Sequence, residues 1–271
     1  MEHYICKTCG VQHDASETPP ASCIICDDER QYVGFEGQQW TTMAEMQAAG
    51  YRNEIRDEES GLTGISTTPR FAIGQRALLV QTDGGNILYD CVTYLDDETV
   101  EAVKALGGIQ GICLSHPHFY DSMIEWSHAF DNAPVYIPEA DRQWVTRTDP
   151  VIEYWDGQPR ELVDGVTLIQ TGGHFDGSAV LHWRDGADGR GALLVGDSIT
   201  VVLDRRYVSF MFSYPNLIPL DAEEVRNIVA SVDAFPYDRI YGGWWDRNVM
   251  SGAQDVVQAS ADRYIRRIGA S

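Results

Sequence analysis

Apolar positions along this chain fall into short runs separated by polar turns, a spacing that predicts buried strands alternating with a few helices. The runs at 77–81, 87–90 and 109–114 read as strands. Asp83-Gly84-Gly85-Asn86 supplies a turn between the first two, and residues 71–73 are expected to pair with 77–81. Further strands are expected at 135–137, 166–170, 179–183, 193–195 and 239–241. Helices are expected at 97–106, with Thr99 near its start and Gly107-Gly108 ending it, and at 122–130, 222–232 and 253–268. Upstream, 38–55 reads as a linker helix with Trp40, Met43, Met46 and Tyr51 on one side. The chain has no internal repeat or low-complexity tract. Periodicity alone gives a mixed α/β domain.

Composition narrows this picture. A chain of 271 residues with 44% hydrophobic content forms a full core, as one large domain or as a main domain with a small appendage. No apolar run approaches the ~18 residues of a membrane span. The start, Met1-Glu2-His3-Tyr4-Ile5-Cys6, lacks a signal-peptide pattern, so the cytoplasm is the expected location. A net charge of −21 leaves no basic patch for nucleic acid and disfavours polyanionic substrates. The expected partner is a small-molecule substrate. Lys7 and Lys104 are the only lysines, and the acidic surface reads chiefly as a solvated one.

The six cysteines divide by context. Cys91 and Cys113 sit in strand-like apolar runs and are expected to be small core residues. Cys6, Cys9, Cys23 and Cys26 form C-x2-C-x13-C-x2-C in a segment with too little apolar surface for a core of its own. A tetrahedral thiolate metal site would supply the missing stability. This segment resembles a zinc ribbon, and especially the short rubredoxin-type module of rubrerythrins. The resemblance implies one Zn²⁺ held by the four thiolates, with Fe as the alternative occupant.

Three further motifs carry the main chemistry. Leu114-Ser115-His116-Pro117-His118-Phe119-Tyr120-Asp121 places two histidines just after an apolar strand, where alternate residues of an extended backbone point the same way. Gly172-Gly173-His174-Phe175-Asp176-Gly177-Ser178 and Leu193-Leu194-Val195-Gly196-Asp197-Ser198 follow. Together they resemble the metal-binding motifs of the metallo-β-lactamase superfamily: H-x-H-x-D-H, a G-H-x-x-G-S turn, and an aspartate after a glycine that ends a strand. The resemblance covers most of the chain after about Ala72. It implies an αββα sandwich with its metal site between the sheets, and a division into a metal module at 1–40, a linker helix and loop at 41–68, and the main domain at 69–271.

The resemblance also assigns residues. His116, His118 and His174 would hold one metal, expected to be Zn with Fe as the alternative, and Asp197 would complete or orient its shell. The second metal of the family loses its ligands here: Tyr120 stands in the aspartate slot, Asp121 in the following histidine slot, and Trp244 where the last histidine is expected. Indole nitrogen has no free lone pair, so one main-site metal is expected. Tyr120 and Asp121 then become the candidates for catalytic proton handling. Phe119, Tyr120, Trp126, Trp244, Trp245 and the segment 210–216 are candidate pocket walls, while His13, His128 and His182 read as structural or exposed. The leading function is a metal-dependent hydrolase acting on a small ester, thioester, lactone or amide. The alternatives are a mononuclear non-haem iron oxygenase using His116, His174 and Asp197, and a non-catalytic, metal-stabilised binding protein.

Overall fold

Strand residues here alternate between two apolar layers, and that alternation builds the fold. In the computed structural model, which describes residues 1–269, Ala77 and Leu79 face one layer while Leu78 and Val80 face another. Leu88 and Ile112 join the first set, and Ile87, Tyr89 and Cys113 the second. Because both faces of each strand are covered, the strands read in sequence as continuous apolar runs. Each fully buried aliphatic side chain contributes about 1.5–3 kcal/mol relative to exposure.

These strands belong to a seven-stranded sheet arranged in chain order: Arg52–Glu59, Leu62–Thr68, Arg76–Val80, Ile87–Tyr89, Gly111–Cys113, Val135–Pro138 and Ile152–Trp155. The first four are antiparallel neighbours, and the pairing is parallel from Ile87–Tyr89 onward. A second sheet runs Arg160–Val163, Val166–Gln170, Ala179–Trp183, Ala192–Val195, Arg239–Tyr241 and Asn248–Val249. Between the sheets lie Leu62, Leu78 and Tyr89 from one side and Leu168, Leu181 and Leu194 from the other.

Helices close the two outer faces. Asp97–Ala105 and Met123–Ala129 place Val103, Met123, Ile124 and Trp126 on the first sheet's outer layer. Ala222–Asp233 and Ala253–Arg267 place Val225, Ile228, Val232 and Val257 on the second's. Asp96 caps the first of these helices by accepting from Thr99 N at 2.8 Å, and Asp221 with Glu224 forms a capping box on the third. The architecture is the αββα sandwich. Cys91 and Cys113 are buried, free thiols in its core.

Several expected elements differ. The helix expected over 38–55 shrinks to Met43–Ala48, capped by Thr42, and Arg52–Glu59 is instead the edge strand of the first sheet. Residues 41–68 are thus not a linker helix and loop: their second half is a hairpin turning at Ser60-Gly61 and pairing onward to Arg76–Val80. Residues 71–73 form a turn rather than a strand. Two small hairpins, Thr200–Val201 with Val208–Ser209 and Met211–Ser213 with Ile218–Pro219, had no counterpart in the expected element order.

The N-terminal segment lies against the sandwich. Its Val11, Ile25 and cysteines share an apolar cluster with Tyr120, Met123 and Ile124. Gln12 N donates to Asp121 O at 3.0 Å and Asp14 N to Thr146 O at 2.9 Å, so backbone hydrogen bonds as well as apolar contacts tie it down.

Candidate metal centres

Among the described residues, two groups of at least three metal-type ligands converge, with every ligand atom in a group within 4.8 Å of the others. The first is Cys6, Cys9, Cys23 and Cys26. Cys6 Sγ and Cys26 Sγ lie 3.5 Å apart, and Cys9 Sγ and Cys23 Sγ 3.7 Å. A tetrahedron with Zn–S bonds of ~2.3 Å has edges of ~3.8 Å, so the four sulfurs fit one ion. The antiparallel pairing of Ile5–Cys6 with Trp40–Thr41 fixes one knuckle, and the helical turn Ile24–Asp27 fixes the other. Gln38 Nε2 donates to Cys6 Sγ at 3.1 Å, as an outer partner of a thiolate would.

The second group is His116, His118, His174 and Asp197, which three loops bring together at one end of the two sheets. His116 is extended (φ −172°), but the chain then winds into a 3₁₀ turn, Pro117–Phe119. The paired histidines therefore converge through a turn and not through a continuing strand. Gly196 permits the close approach of Asp197's loop: a Cβ there would lie 2.4 Å from Ser115 Oγ and 3.1 Å from His116 Nδ1.

The orientation of each ring suits a cation. His174 Nδ1 donates to Met211 O at 3.0 Å, which leaves Nε2 as a lone pair facing His118 Nδ1 at 3.2 Å. His116 Nδ1 pairs with Ser115 Oγ at 2.8 Å, and its buried Nε2 has no hydrogen-bond partner. Asp197 Oδ2 stands 3.5 Å from His116 Nε2 and 3.8 Å from His174 Nε2. Zn–N bonds of ~2.0–2.1 Å imply tetrahedral edges of ~3.3 Å, close to this spacing. Burial first, then the neighbouring His116, pulls His174 down to about 4, and burial with His116 and His174 pulls His118 well below its ordinary value. Burial pushes the Asp197 carboxyl up, but the neighbouring His116 and His174 rings and the hydroxyl of Thr200 outweigh it and hold the group below its ordinary value. Neutral imidazoles and an ionised carboxylate are the forms that bind metal.

Tyr120 and Asp121 do not join this group, which corrects their assignment to proton handling at the metal. The 3₁₀ turn rotates both away from the ligands. Tyr120 is fully buried among apolar residues, and its hydroxyl has no hydrogen-bond partner. Asp121, in the left-handed region at φ 42°, turns its carboxyl to Thr93 Oγ1 (2.5 Å) and Gln75 Nε2, beneath Gly10. Thr93 has one hydroxyl proton but two neighbours, Asp121 Oδ1 and Gly10 O at 3.0 Å. All three contacts are satisfied when Asp121 carries a proton and donates it to Thr93, which then donates to Gly10 O. Burial pushes Asp121 up to about 8, against the pull of Thr93 and Gln75, in agreement with that arrangement.

Asp121→Asn should therefore preserve the network and the wild-type metal content. Above its ordinary 3.8 the unfolded carboxyl ionises while the folded one stays protonated to about 8. The wild type thus loses stability across that pH window, and the amide does not. Urea unfolding should show the variant gaining on the wild type from pH 4 to 8. Loss of main-site metal in this variant would show that the Asp121 carboxylate supports the metal site.

The other expected residues divide as follows. Trp244 and Trp245 line a cleft of about 1090 Å³ that reaches His118, His174 and Asp197, and Met211 and Tyr214 line it as well. Trp244 Nε1 donates to Ile73 O at 3.1 Å, and its ring meets Phe119 edge-on. Trp126 is not a pocket wall: it is buried in the core, donating to Val92 O at 2.8 Å. Phe210 is also core. His128 pairs with Asp149, His182 with Pro236 O, and His13 packs on Trp40 within the N-terminal module. Arg30, Gln31 and Tyr32 of that module reach the main site or its cleft, a role the sequence carried no motif to mark.

The fold and the His₃Asp cluster define an αββα protein with a candidate metal centre between its sheets. The family model for the Metallo-beta-lactamase superfamily matches residues 72–244, and the chain belongs to that superfamily. It is 50% identical over 269 residues to the uncharacterized protein YmaE of Bacillus subtilis (strain 168), covering 99% of this chain and 97% of that protein. The crystal structure of VMB-1 shares the fold with a TM-score of 0.59 at 12% identity, over 80% of this chain and 99% of that one. The structure of DIM-1 metallo-beta-lactamase exposed to ceftazidime does so with a TM-score of 0.59 at 14% identity, over 80% and 98%.

Proposed function

We propose that this protein is a hydrolase that uses one divalent metal, preferably Zn²⁺, at His116, His118, His174 and Asp197 to cleave a small ester, thioester, lactone or amide. The observation that carries the reading is the cleft: it opens from solvent onto His118, His174 and Asp197. A metal kept only for stability would need no such access. A divalent ion held there would supply Lewis acidity toward a carbonyl and lower the pKa of a water toward neutral pH.

The protein's own residues hold and shape the site. Met211 O fixes the His174 tautomer, Ser115 orients His116, and Thr200 Oγ1 donates to Asp197 Oδ1 at 3.2 Å. The indoles of Trp244 and Trp245 make that side of the cleft apolar, which favours small or weakly charged substrates. His118 in the same cluster favours a three-imidazole set over the two-histidine, one-carboxylate set of an oxygenase. We assign the N-terminal cluster to structural Zn²⁺. Its four free thiols suit a reducing compartment such as the cytoplasm, and among the described residues no helix is long and apolar enough to cross a membrane.

The test is a panel of chromogenic esters, thioesters, lactones and amides. Hydrolysis of at least one class should vanish on chelation and return with added Zn²⁺. Activity indifferent to metal removal, or no turnover of any class by protein carrying main-site metal, would overturn the proposal.

A further inference from the structure

Arg30 lies four residues beyond Cys26 and touches the main centre from the N-terminal module. Its Nε donates to His174 O at 2.7 Å. Its guanidinium lies over two rings, 4.5 Å from the centroid of Phe175 and 4.3 Å from that of Phe212. Nη1 reaches both oxygens of Asp28, at 2.9 and 3.0 Å, so the charge is paired within the module. The side chain is only 15% exposed.

The chain positions of these contacts matter. Phe175 follows His174 directly, and Phe212 follows Met211, whose carbonyl orients the His174 ring. Arg30 therefore ties together the two segments that set this imidazole: the turn that carries it and the hairpin that aims it. The reverse side is tied as well. Ser213 Oγ donates to Arg30 O at 3.0 Å, and Asn216 Nδ2 donates to Glu29 O at 2.9 Å and Gln31 O at 3.0 Å. The turn bearing Arg30 is held by a further local contact, since Arg30 N donates to Asp28 Oδ1 at 2.9 Å. A planar guanidinium with donors in fixed directions suits this place, where it must stack on two faces and still reach a carbonyl.

We propose that Arg30 is a positioning residue for the main metal centre, through which the four-cysteine module sets the geometry of His174. The proposal rests on the reading of His116, His118, His174 and Asp197 as a metal site. Partners that orient a ligand without touching the ion typically change metal affinity 10–100-fold. A residue that merely docked the module would alter stability and leave that affinity alone.

The test uses the full chain with Zn²⁺, titrated against a competing chelator, and Co²⁺ absorption at the main site in protein that keeps Zn²⁺ in its thiolate site. Arg30→Ala should weaken the main-site equivalent at least about tenfold and shift the cobalt ligand-field bands, with the thiolate-bound equivalent retained. Arg30→Lys keeps the charge but loses the planar stack, so it should recover only part of the affinity. Wild-type affinity and spectrum in Arg30→Ala would overturn the proposal. Should that variant lose its module, Phe212→Leu decides, because it leaves Arg30 and Asp28 in place: weakened main-site affinity supports the proposal, and unchanged affinity overturns it. Failure of the wild type itself to bind main-site metal would instead remove the metal-site reading.

Discussion

Replacing His174 by alanine is expected to lower the metal content of the purified protein by one equivalent per chain and to abolish the proposed hydrolysis. The residue supplies one of three imidazoles in a buried group at the foot of the cleft. Losing a ligand should cost more than the roughly 100-fold seen for the strongest supporting partners. The substitution also leaves Met211 O without the hydrogen bond from Nδ1, at a cost on the order of 1–3 kcal/mol. Elemental analysis with the thiolate-bound ion subtracted is the direct measurement, and unchanged stoichiometry would refute the assignment. The metal-free wild type offers a second check. Its His174 is held to about 4 against an ordinary 6.5, so acidification protonates the unfolded chain first. Stability contributed by the neutral buried ring is thus intact above pH 6.5 and falls progressively toward pH 4, by roughly 3 kcal/mol for a shift of this size. His174→Ala should lack that part of the acid sensitivity, which denaturant unfolding at pH 7 and pH 5 would reveal.

Cys23→Ser is expected to release the N-terminal metal and expose the first forty residues to protease. Structural zinc contributes ~10–16 kcal/mol of apparent binding free energy in small thiolate modules, comparable with the ~5–15 kcal/mol stability of a whole domain. The few apolar residues of the segment, among them Ile5, Val11 and Ile25, cannot replace it. The damage should spread beyond the module. Cys9, Cys23 and Cys26 pack in the same layer as Met123 and Ile124, and Arg30 leaves with the module. The thermal midpoint should therefore fall, by roughly 2–4 °C for each kcal/mol of packing lost, and main-site metal affinity should fall with it. Proteolysis confined to residues 1–40 with midpoint and affinity unchanged would show that the two parts are energetically independent.

The strands and motifs that were legible in the sequence share a physical cause. The stretch 77–80, Gly111–Cys113 and Ala192–Val195 are covered on both faces, so they carry no charged side chain and stand out as apolar runs. The cysteines and the histidine motifs were legible because metal chemistry demands particular side chains at narrow spacings. The hairpin at 52–68 was not. Arg52–Glu59 is an edge strand with one partner, and its charged residues, which blunt further pairing, leave no apolar alternation to read. The sequence also could not orient Tyr120 and Asp121. A motif gives order along the chain, but the 3₁₀ turn after His116 decides which side chains face the candidate metal centre.

Alone, then, the sequence determined the ligand types, the apolar strands and the sandwich they imply through family resemblance. Only the tertiary structure decided that Asp121 is a buried strut beneath Gly10 and that Arg30 grips His174 from 144 positions away in the chain. Local spacing constrains neighbours within a turn or a strand. Contacts between distant segments arise only when burial of the shared apolar layer has packed the module onto the sheet, and no short-range pattern records that choice.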